Sequence, residues 1–292
     1  MFRRALICTD FADGLHRLGN FLPSLAAGGM EQIVFLHSVP FWTKGQIPRE
    51  DKEKVKQARS RLDPILDKVP EGLEVAVEVV SGEPTNNLLK VAKQYDSEVI
   101  IMGASPSTML SDRIFGSTTM SISKQTHIPI VTFPTTLLSA FTDEELSLRC
   151  QHLFRFVLIP YDGSHTADEL VQEFEENIRD RVGKGSLQKC LLAWIIDTGT
   201  LPEISKDAQV REAEEKLVPI KARLESTGLE VETEVRLGEP VPDILELAQM
   251  SDICAIAIAS QILGKLWEWR PSFTREVLRR SCEPVIFFPP KG

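Results

Sequence analysis

The sequence contains no long apolar run and few cysteines. No uninterrupted apolar run in its 292 residues approaches the roughly 20 residues that a membrane-spanning helix needs. The apolar stretch Ala5–Cys8 is also too short for the core of a signal peptide. The five cysteines lie far apart and form no CxxC pair, which argues against a disulfide framework and against a zinc site. We therefore expect a soluble, cytoplasmic protein with no membrane partner.

Sequence motifs for several kinds of catalysis are also missing. The five histidines are scattered and show neither HxxxH nor HExxH spacing, which argues against a catalytic metal. Gly183-Lys184 and Gly264-Lys265 lack both the upstream glycine and the following Ser or Thr of a Walker A loop, and no GxSxG elbow occurs. We expect neither catalytic residues nor a metal site, so the protein is not expected to be an enzyme.

The sequence has fewer basic than acidic residues. The chain carries 33 Lys and Arg against 42 Asp and Glu, a net charge of −9. Because clustered cations dominate affinity for a phosphate backbone, no nucleic-acid partner is expected. A mononucleotide is compatible with this charge, since backbone N–H groups at a loop and a helix start can bind its phosphates.

The two halves of the sequence repeat one another. Three pairs of residues occupy matching segments in the same order: Asp10 and Asp162, Gly82 and Gly238, and Pro129 and Pro284. Their separations are 152, 156 and 155 residues. Such long, near-constant spacing predicts a duplicated domain, because solenoid repeats have periods of roughly 20 to 50 residues. We predict domains at 1–136 and 153–292, joined by a partly helical linker at 137–152.

Within each half, short runs rich in Val and Ile alternate with longer helical patterns. Most runs lack period-two alternation, which is typical of strands buried on both faces. The predicted strands are Ala5–Thr9, Gln32–Ser38, Val75–Val80, Val99–Gly103, Pro129–Phe133, Phe156–Pro160, Lys189–Ile195, Glu230–Val235, Ile253–Ile258 and Pro284–Phe288. This alternation predicts an α/β fold, with two tandem five-stranded parallel sheets that carry helices on both faces.

Candidate ligand-binding residues lie at the strand ends, where open parallel sheets bind their ligands. Asp10 and Asp162 each follow a first strand directly. A carboxylate at this position can accept hydrogen bonds from an adenine amine or from ribose hydroxyls. The same position also suits an Asp that caps a turn or a helix, and position alone favours neither interpretation.

A second candidate feature follows the fourth predicted strand. Gly103-Ala104-Ser105-Pro106 is followed by nine residues and then by Gly116-Ser117-Thr118, at the start of a helical pattern. Glycine lets the backbone approach a phosphate, and the helix start offers N–H and hydroxyl donors. The alternative interpretation is an ordinary capped helix after a turn.

Taken together, these motifs resemble the universal stress protein family over essentially the whole chain. They are the Asp after a first strand, Gly-x-Pro before the third helix, glycine-spaced segments after strand four, and an x-Pro strand. The resemblance implies an adenine-nucleotide α-hydrolase-like, Rossmann-like architecture. Members of the family bind ATP or AMP through a Gly-x2-Gly-x9-Gly-Ser/Thr loop, the first-strand Asp, and backbone at the end of strand two.

By this resemblance, the first half holds the nucleotide site. Its expected residues are Thr9, Asp10, Val39, Gly103, Ser105, Gly116, Ser117 and Thr118. Pro106 replaces the middle glycine of the loop, which removes one N–H donor and fixes φ. In the second half, Ala259 and Pro271 stand in place of loop glycines, so only a weak nucleoside site at Asp162 and Ser272 is expected. Trp267 and Trp269 are expected to pack over the vacated pocket or to form an interface.

The leading functional hypothesis is a regulatory binding protein of the stress response. It would bind ATP or AMP in the first half, with Mg²⁺ accompanying ATP, and an unidentified protein partner would recognise the bound form. The alternative is an adaptor whose pockets have decayed. The resemblance also leaves open a slow hydrolysis of an adenine nucleotide. Members of the family dimerise through the last strand, and the resemblance implies that Ile128–Phe133 and Pro284–Phe288 make this contact within one chain. The chain would then be an intramolecular pseudo-dimer, which could form a homodimer but would not need to.

Overall fold

The computed structural model describes residues 1–42, 49–104, 122–134, 138, 140–179, 187–200, 206–259 and 273–289. The chain divides into two compact units, Phe2–Gln151 and His152–Pro290. Among the helices of the described residues, none is both long enough and apolar enough to cross a membrane.

The first unit contains a five-stranded parallel sheet. Its strands are β1 (Arg4–Cys8), β2 (Gln32–Val39), β3 (Glu74–Ser81), β4 (Val99–Ala104) and β5 (Ile130–Pro134). Their order across the sheet is β3-β2-β1-β4-β5, and each neighbouring pair is parallel. At the end of β1, Cys8 pairs with Leu36 on one side and with Met102 on the other. The strand order reverses beside β1, so the expected ligand position lies at its carboxyl end.

Four α-helices are described in the first unit: α1 (Leu22–Ala27), α2 (Lys52–Leu62), α3 (Pro84–Gln94) and α4 (Asp143–Gln151). Two 3-10 helices, Leu15–Phe21 and Asp63–Lys68, accompany them. Helix α4 lies in the stretch predicted as a linker, yet it packs on α1. The hydroxyls of Ser24 and Ser147 are 2.7 Å apart, and a Cβ on Gly28 would lie 2.7 Å from the Gln151 carbonyl oxygen. This close approach makes α4 part of the first unit.

The second unit repeats the same sheet. Its strands are β6 (Phe156–Pro160), β7 (Lys189–Asp197), β8 (Glu230–Gly238), β9 (Ala255–Ala259) and β10 (Val285–Phe288). They are parallel and ordered β10-β9-β6-β7-β8. The described helices are α5 (His165–Ile178), α6 (Lys206–Glu225), α7 (Pro240–Met250) and α8 (Phe273–Arg280).

The structure confirms the predicted α/β fold and all ten predicted strands. The central strands are buried on both faces: Leu6, Ile7 and Leu158 are fully inaccessible to solvent. Because no face of these strands meets water, their sequences contain almost no polar residues at alternate positions. The core of each unit therefore lies between its sheet and the covering helices.

Candidate functional site

Asp10 lies on the loop directly after β1, with its side chain exposed. Its Oδ1 accepts hydrogen bonds from the backbone N–H groups of Ala12 at 2.8 Å and Asp13 at 3.0 Å. The carboxylate therefore caps the turn, as one of the two interpretations of the sequence required. Its Oδ2 accepts no hydrogen bond from the described residues, so capping leaves that oxygen available to a ligand.

Thr9 is held inside the same loop by Asp13, a residue that the sequence analysis did not identify. The Thr9 hydroxyl donates to Asp13 Oδ1 at 2.7 Å and accepts from the Phe11 N–H at 3.0 Å. Asp13 Oδ1 also accepts from the Leu15 N–H at 2.9 Å. Burial raises the pKa of Asp13, and these hydrogen bonds oppose the rise only in part. The Thr9 hydroxyl therefore makes its hydrogen bonds within the loop.

Phe11 brings an aromatic ring to the ends of β1 and β2. It is a non-glycine residue with φ of 68°, and its ring centroid lies 4.4 Å from that of His37. The Arg61 guanidinium lies 3.9 Å from the same ring, within the range of a cation–π contact. His37 Nδ1 donates to the Thr9 carbonyl at 2.8 Å, which ties the end of β2 to the loop.

His16 also borders the Phe11 ring, with centroids 5.6 Å apart. Burial lowers the pKa of His16, and the nearby positive charge of Arg61 lowers it further. The proximity of Arg61 to Phe11 and His16 could not be predicted from local sequence, because Arg61 lies fifty residues beyond Phe11 in the chain.

Val39 and Gly103 lie at the same edge of the sheet as Thr9 and Asp10. Val39 ends β2, is buried, and accepts a hydrogen bond from the Gly82 N–H at 2.9 Å through its carbonyl. Gly103 follows Met102, the partner of Cys8, and is therefore next to the end of β1. The other predicted site residues, Ser105, Gly116, Ser117, Thr118 and Ser272, lie outside the described residues and stay predictions.

The second unit has a cavity of about 630 Å³ at the corresponding strand ends. It is bordered by the ends of β6, β7 and β9 and by helices α5 and α7. Asp162, one of the predicted residues, lines this cavity, and its Oδ1 accepts from the Ser164 N–H at 3.0 Å. Asp162 therefore caps a turn as Asp10 does, beside a pocket of ligand size.

Two aromatic side chains that the sequence analysis missed form one wall of this cavity. The rings of Tyr161 and Trp194 meet edge to face, with centroids 5.5 Å apart. The Tyr161 hydroxyl donates to Asp168 Oδ1 at 2.5 Å, and burial together with this carboxylate raises the pKa of Tyr161. Trp194 also packs on Gly163, where an added Cβ would lie 2.7 Å from the indole.

Among the described residues, no group of three or more His, Cys, Asp or Glu side chains is placed to hold a metal ion.

Comparison with known proteins identifies the family. A family model described as the universal stress protein family matches residues 1–134 and again residues 154–289. The chain belongs to the universal stress protein family. The two matches confirm both the resemblance and its duplication, because together they account for nearly the whole chain.

Solved structures show the same tandem fold. A universal stress protein from Archaeoglobus fulgidus DSM 4304 is 20% identical, covers 97% of each chain and has a TM-score of 0.59. A putative universal stress protein from Pseudomonas aeruginosa UCBPP-PA14 is 13% identical, covers 98% of this chain and 93% of its own, and has a TM-score of 0.57. At these identities the likeness extends to the fold alone.

A universal stress protein solved in complex with cAMP covers 46% of this chain and 97% of its own. Its identity is 18% and its TM-score is 0.38. No curated protein matches the chain in sequence.

Proposed function

We propose that this universal stress protein is a regulatory binding protein that takes ATP or AMP at the strand ends of its first unit and acts in the stress response. The observation that carries the proposal is the Asp10 carboxylate, which is exposed at the edge of the sheet and held by two backbone N–H groups. The turn fixes the orientation of the carboxylate and leaves Oδ2 as an acceptor. An adenine amine or a ribose hydroxyl is a matching donor.

The charge near this edge also suits a nucleotide. Arg61 lies over Phe11 and forms no ion pair with the described residues. A guanidinium placed there is a bidentate donor for phosphate oxygens. Arg17 is the other cation that affects His16, but it is paired with Asp143 at 3.4 Å. Asp10 therefore supplies an acceptor for the donors of an adenosine, and Arg61 supplies a cation near the same strand ends. Mg²⁺, where present, would accompany the phosphates of ATP.

The Phe11 ring favours a second candidate function, the adaptor without a nucleotide. It packs against His37 beneath Arg61, so the ends of β1 and β2 are partly covered by the protein's own side chains. Pro106 supports the same alternative, because it removes a backbone donor from the loop that the family uses for phosphates.

Equilibrium dialysis of the full chain, stripped of ligand, against ATP and AMP tests the proposal. We expect saturable binding that Asp10→Asn weakens about tenfold, because a charged acceptor is lost while Oδ1 still caps the turn. The matched variant Asp162→Asn is expected to leave this binding unchanged.

Two outcomes would contradict the proposal. Absence of binding to a freshly stripped sample would favour the adaptor. An equal loss in both variants would overturn the assignment to the first unit. Phosphate release measured in the same samples tests the slow hydrolysis that the resemblance leaves open, and we expect binding without turnover.

A further inference from the structure

The cavity of the second unit has the size and the lining of a small-molecule site. Its volume of about 630 Å³ lies within the range of about 300 to 1,000 Å³ that is usual for ligand pockets. Most of the described lining is apolar, including Leu170, Ile244 and Ile258, and the rings of Tyr161 and Trp194 form one wall. Such a lining favours a ligand with a planar apolar ring.

Two strand positions beside the cavity carry smaller side chains in the second unit than in the first. Strand register makes Ala193 of β7 equivalent to Leu36 of the first unit, because they pair with Pro160 and Cys8, equivalent residues at the ends of β6 and β1. By the same register, Ala257 of β9 replaces Ile101 of β4. Both alanines line the cavity. The two units therefore differ in side-chain size at two buried positions next to the strand ends.

Two carboxylates supply the charge of this cavity. Asp162 and Asp197 both line it, and each uses its Oδ1 to accept from a backbone N–H, of Ser164 at 3.0 Å and of Gly199 at 2.8 Å. Their Oδ2 atoms accept no hydrogen bond from the described residues. These two oxygen atoms can therefore accept hydrogen bonds from a ligand in the cavity, and hydroxyl or amine groups of the ligand would be the donors.

No lysine, arginine or histidine occurs among the described residues that line the cavity. Two cationic side chains lie near Tyr161 and Trp194, and each forms an ion pair with a glutamate. The Lys216 ammonium, 5.9 Å from the Trp194 ring, is paired with Glu212 at 2.7 Å. Arg223, whose charge affects Tyr161, is paired with Glu175 at 3.0 Å.

We propose that this cavity binds a planar aromatic molecule that carries no phosphate and is neutral or positively charged. Its ring would lie against Tyr161 and Trp194, and its hydroxyl or amine groups would donate to Asp162 and Asp197. Phosphate is disfavoured because two carboxylates repel an anion and no unpaired cation among the described lining residues offsets that repulsion. The site is separate from the nucleotide site proposed for the first unit. Its ligand is neutral or positively charged, whereas a nucleotide is negatively charged.

The test compares three probes that differ only at the 5′ position of adenosine. Adenosine is neutral there, AMP is anionic, and 5′-amino-5′-deoxyadenosine is cationic. Binding is measured by calorimetry on the full chain carrying Asp10→Asn, so that the first unit contributes least. We expect the cationic probe to bind at least as tightly as adenosine, and AMP to bind at least about tenfold more weakly.

The variant Asp162→Asn/Asp197→Asn, also carrying Asp10→Asn, tests whether the two carboxylates cause this ranking of the three affinities. Each asparagine retains an oxygen to accept from the loop N–H, so the turns keep their caps while the charge is removed. We expect the three affinities to converge within about threefold. Adenosine binding that is absent at millimolar concentration, AMP binding as tight as adenosine at a site that responds to Asp162→Asn/Asp197→Asn, or an unchanged order in the neutralised variant would each overturn the proposal. None of these outcomes affects ATP binding that depends on Asp10.

Discussion

The two units share a strand order, but they place their aromatic rings on different segments of the chain. The residue after the strand-end Asp is Phe11 in the first unit and Gly163 in the second, and φ is positive at both, 68° and 73°. On the neighbouring strand, His37 in the first unit corresponds by register to Trp194 in the second. A large ring on the loop faces a smaller ring on the strand in one unit, and a glycine faces an indole in the other.

Both units therefore keep a left-handed residue at this turn, although a phenylalanine occupies it in one and a glycine in the other. A left-handed conformation costs an L-residue roughly 1 to 2 kcal/mol relative to glycine, yet Phe11 adopts it. The capping bonds of Asp10 and the ring contacts of Phe11 hold the turn in the first unit. In the second unit, glycine removes that cost and leaves room for Trp194 beside the loop.

The largest effect is expected from giving the second unit the loop residue of the first. Gly163→Phe places a Cβ 2.7 Å from the indole of Trp194 and requires a left-handed phenylalanine. We expect the free energy of unfolding to fall by about 4 kcal/mol, from steric overlap and backbone strain together. Urea denaturation followed by circular dichroism measures the loss.

Two further variants separate these causes. Gly72 has φ of 83°, and an added Cβ there would meet no atom within 4 Å, so Gly72→Phe carries the strain alone and should cost about 1 to 2 kcal/mol. The double variant Gly163→Phe/Trp194→His recreates the ring pair of the first unit and should recover at least about 1 kcal/mol of the loss. Simple additivity of the two single changes would show that the rings do not compensate one another.

A smaller effect is expected at the helix that follows the third strand of each unit. The Glu83 carboxylate accepts from the N–H groups of Thr85 at 3.0 Å and Asn86 at 2.7 Å and caps α3. Its counterpart Glu239 provides no side-chain cap to α7. At neutral pH, Glu83→Ala should lower the free energy of unfolding by about 1 kcal/mol, whereas Glu239→Ala should change it by less than about 0.5 kcal/mol.

The contribution of Glu83 should also depend on pH. The hydrogen bonds from Asn86 and Thr85 lower the pKa of Glu83 in the folded state. Its stabilising contribution is therefore present above the ordinary glutamate pKa and is lost as pH falls through the lowered value. The difference between wild type and Glu83→Ala should shrink in acid. A difference that persists unchanged, or equal losses from Glu83→Ala and Glu239→Ala, would refute this asymmetry.

The smallest effect is expected at Asp13, which forms part of the loop only in the first unit. Burial raises its folded-state pKa, so its ionisation reduces stability as pH rises from the ordinary aspartate pKa through the raised value. Asp13→Asn cannot ionise and keeps an oxygen for the Thr9 hydroxyl and the Leu15 N–H. Its stability relative to wild type should therefore improve between about pH 3 and pH 7. A constant difference across a pH series of urea titrations, or one that worsens, would exclude this role for burial.

The strands and the strand-end carboxylates could be predicted because their signals are local. A parallel strand buried on both faces is a continuous apolar run, and Asp10 and Asp162 follow such runs directly. The contacts of Phe11 with Arg61 and of Gly163 with Trp194 could not be predicted. They join segments far apart in the chain, and they depend on strand register, which hydrophobic periodicity does not fix.

A vacated pocket was expected in the second unit, but, apart from Asp162, the side chains that line its cavity were not predicted. Ala193 and Ala257 lie beside it, and an alanine in a strand looks the same in sequence whether or not a neighbouring side chain fills the space next to it. The helical character of the predicted linker was visible in the sequence, but its packing was not, because a close approach to the backbone at Gly28 leaves no periodic pattern.

The packing of α4 on α1 has a consequence for synthesis of the protein on the ribosome. The carbonyls of Cys150 and Gln151 lie against Gly28, and Asp143 pairs with Arg17, so residues beyond the fifth strand complete the surface of the first unit. Domains generally fold as units while the chain emerges. The first unit can therefore reach its final form only after the ribosome has extended the chain to Gln151 and released it from the exit tunnel, when synthesis of the second unit has already begun.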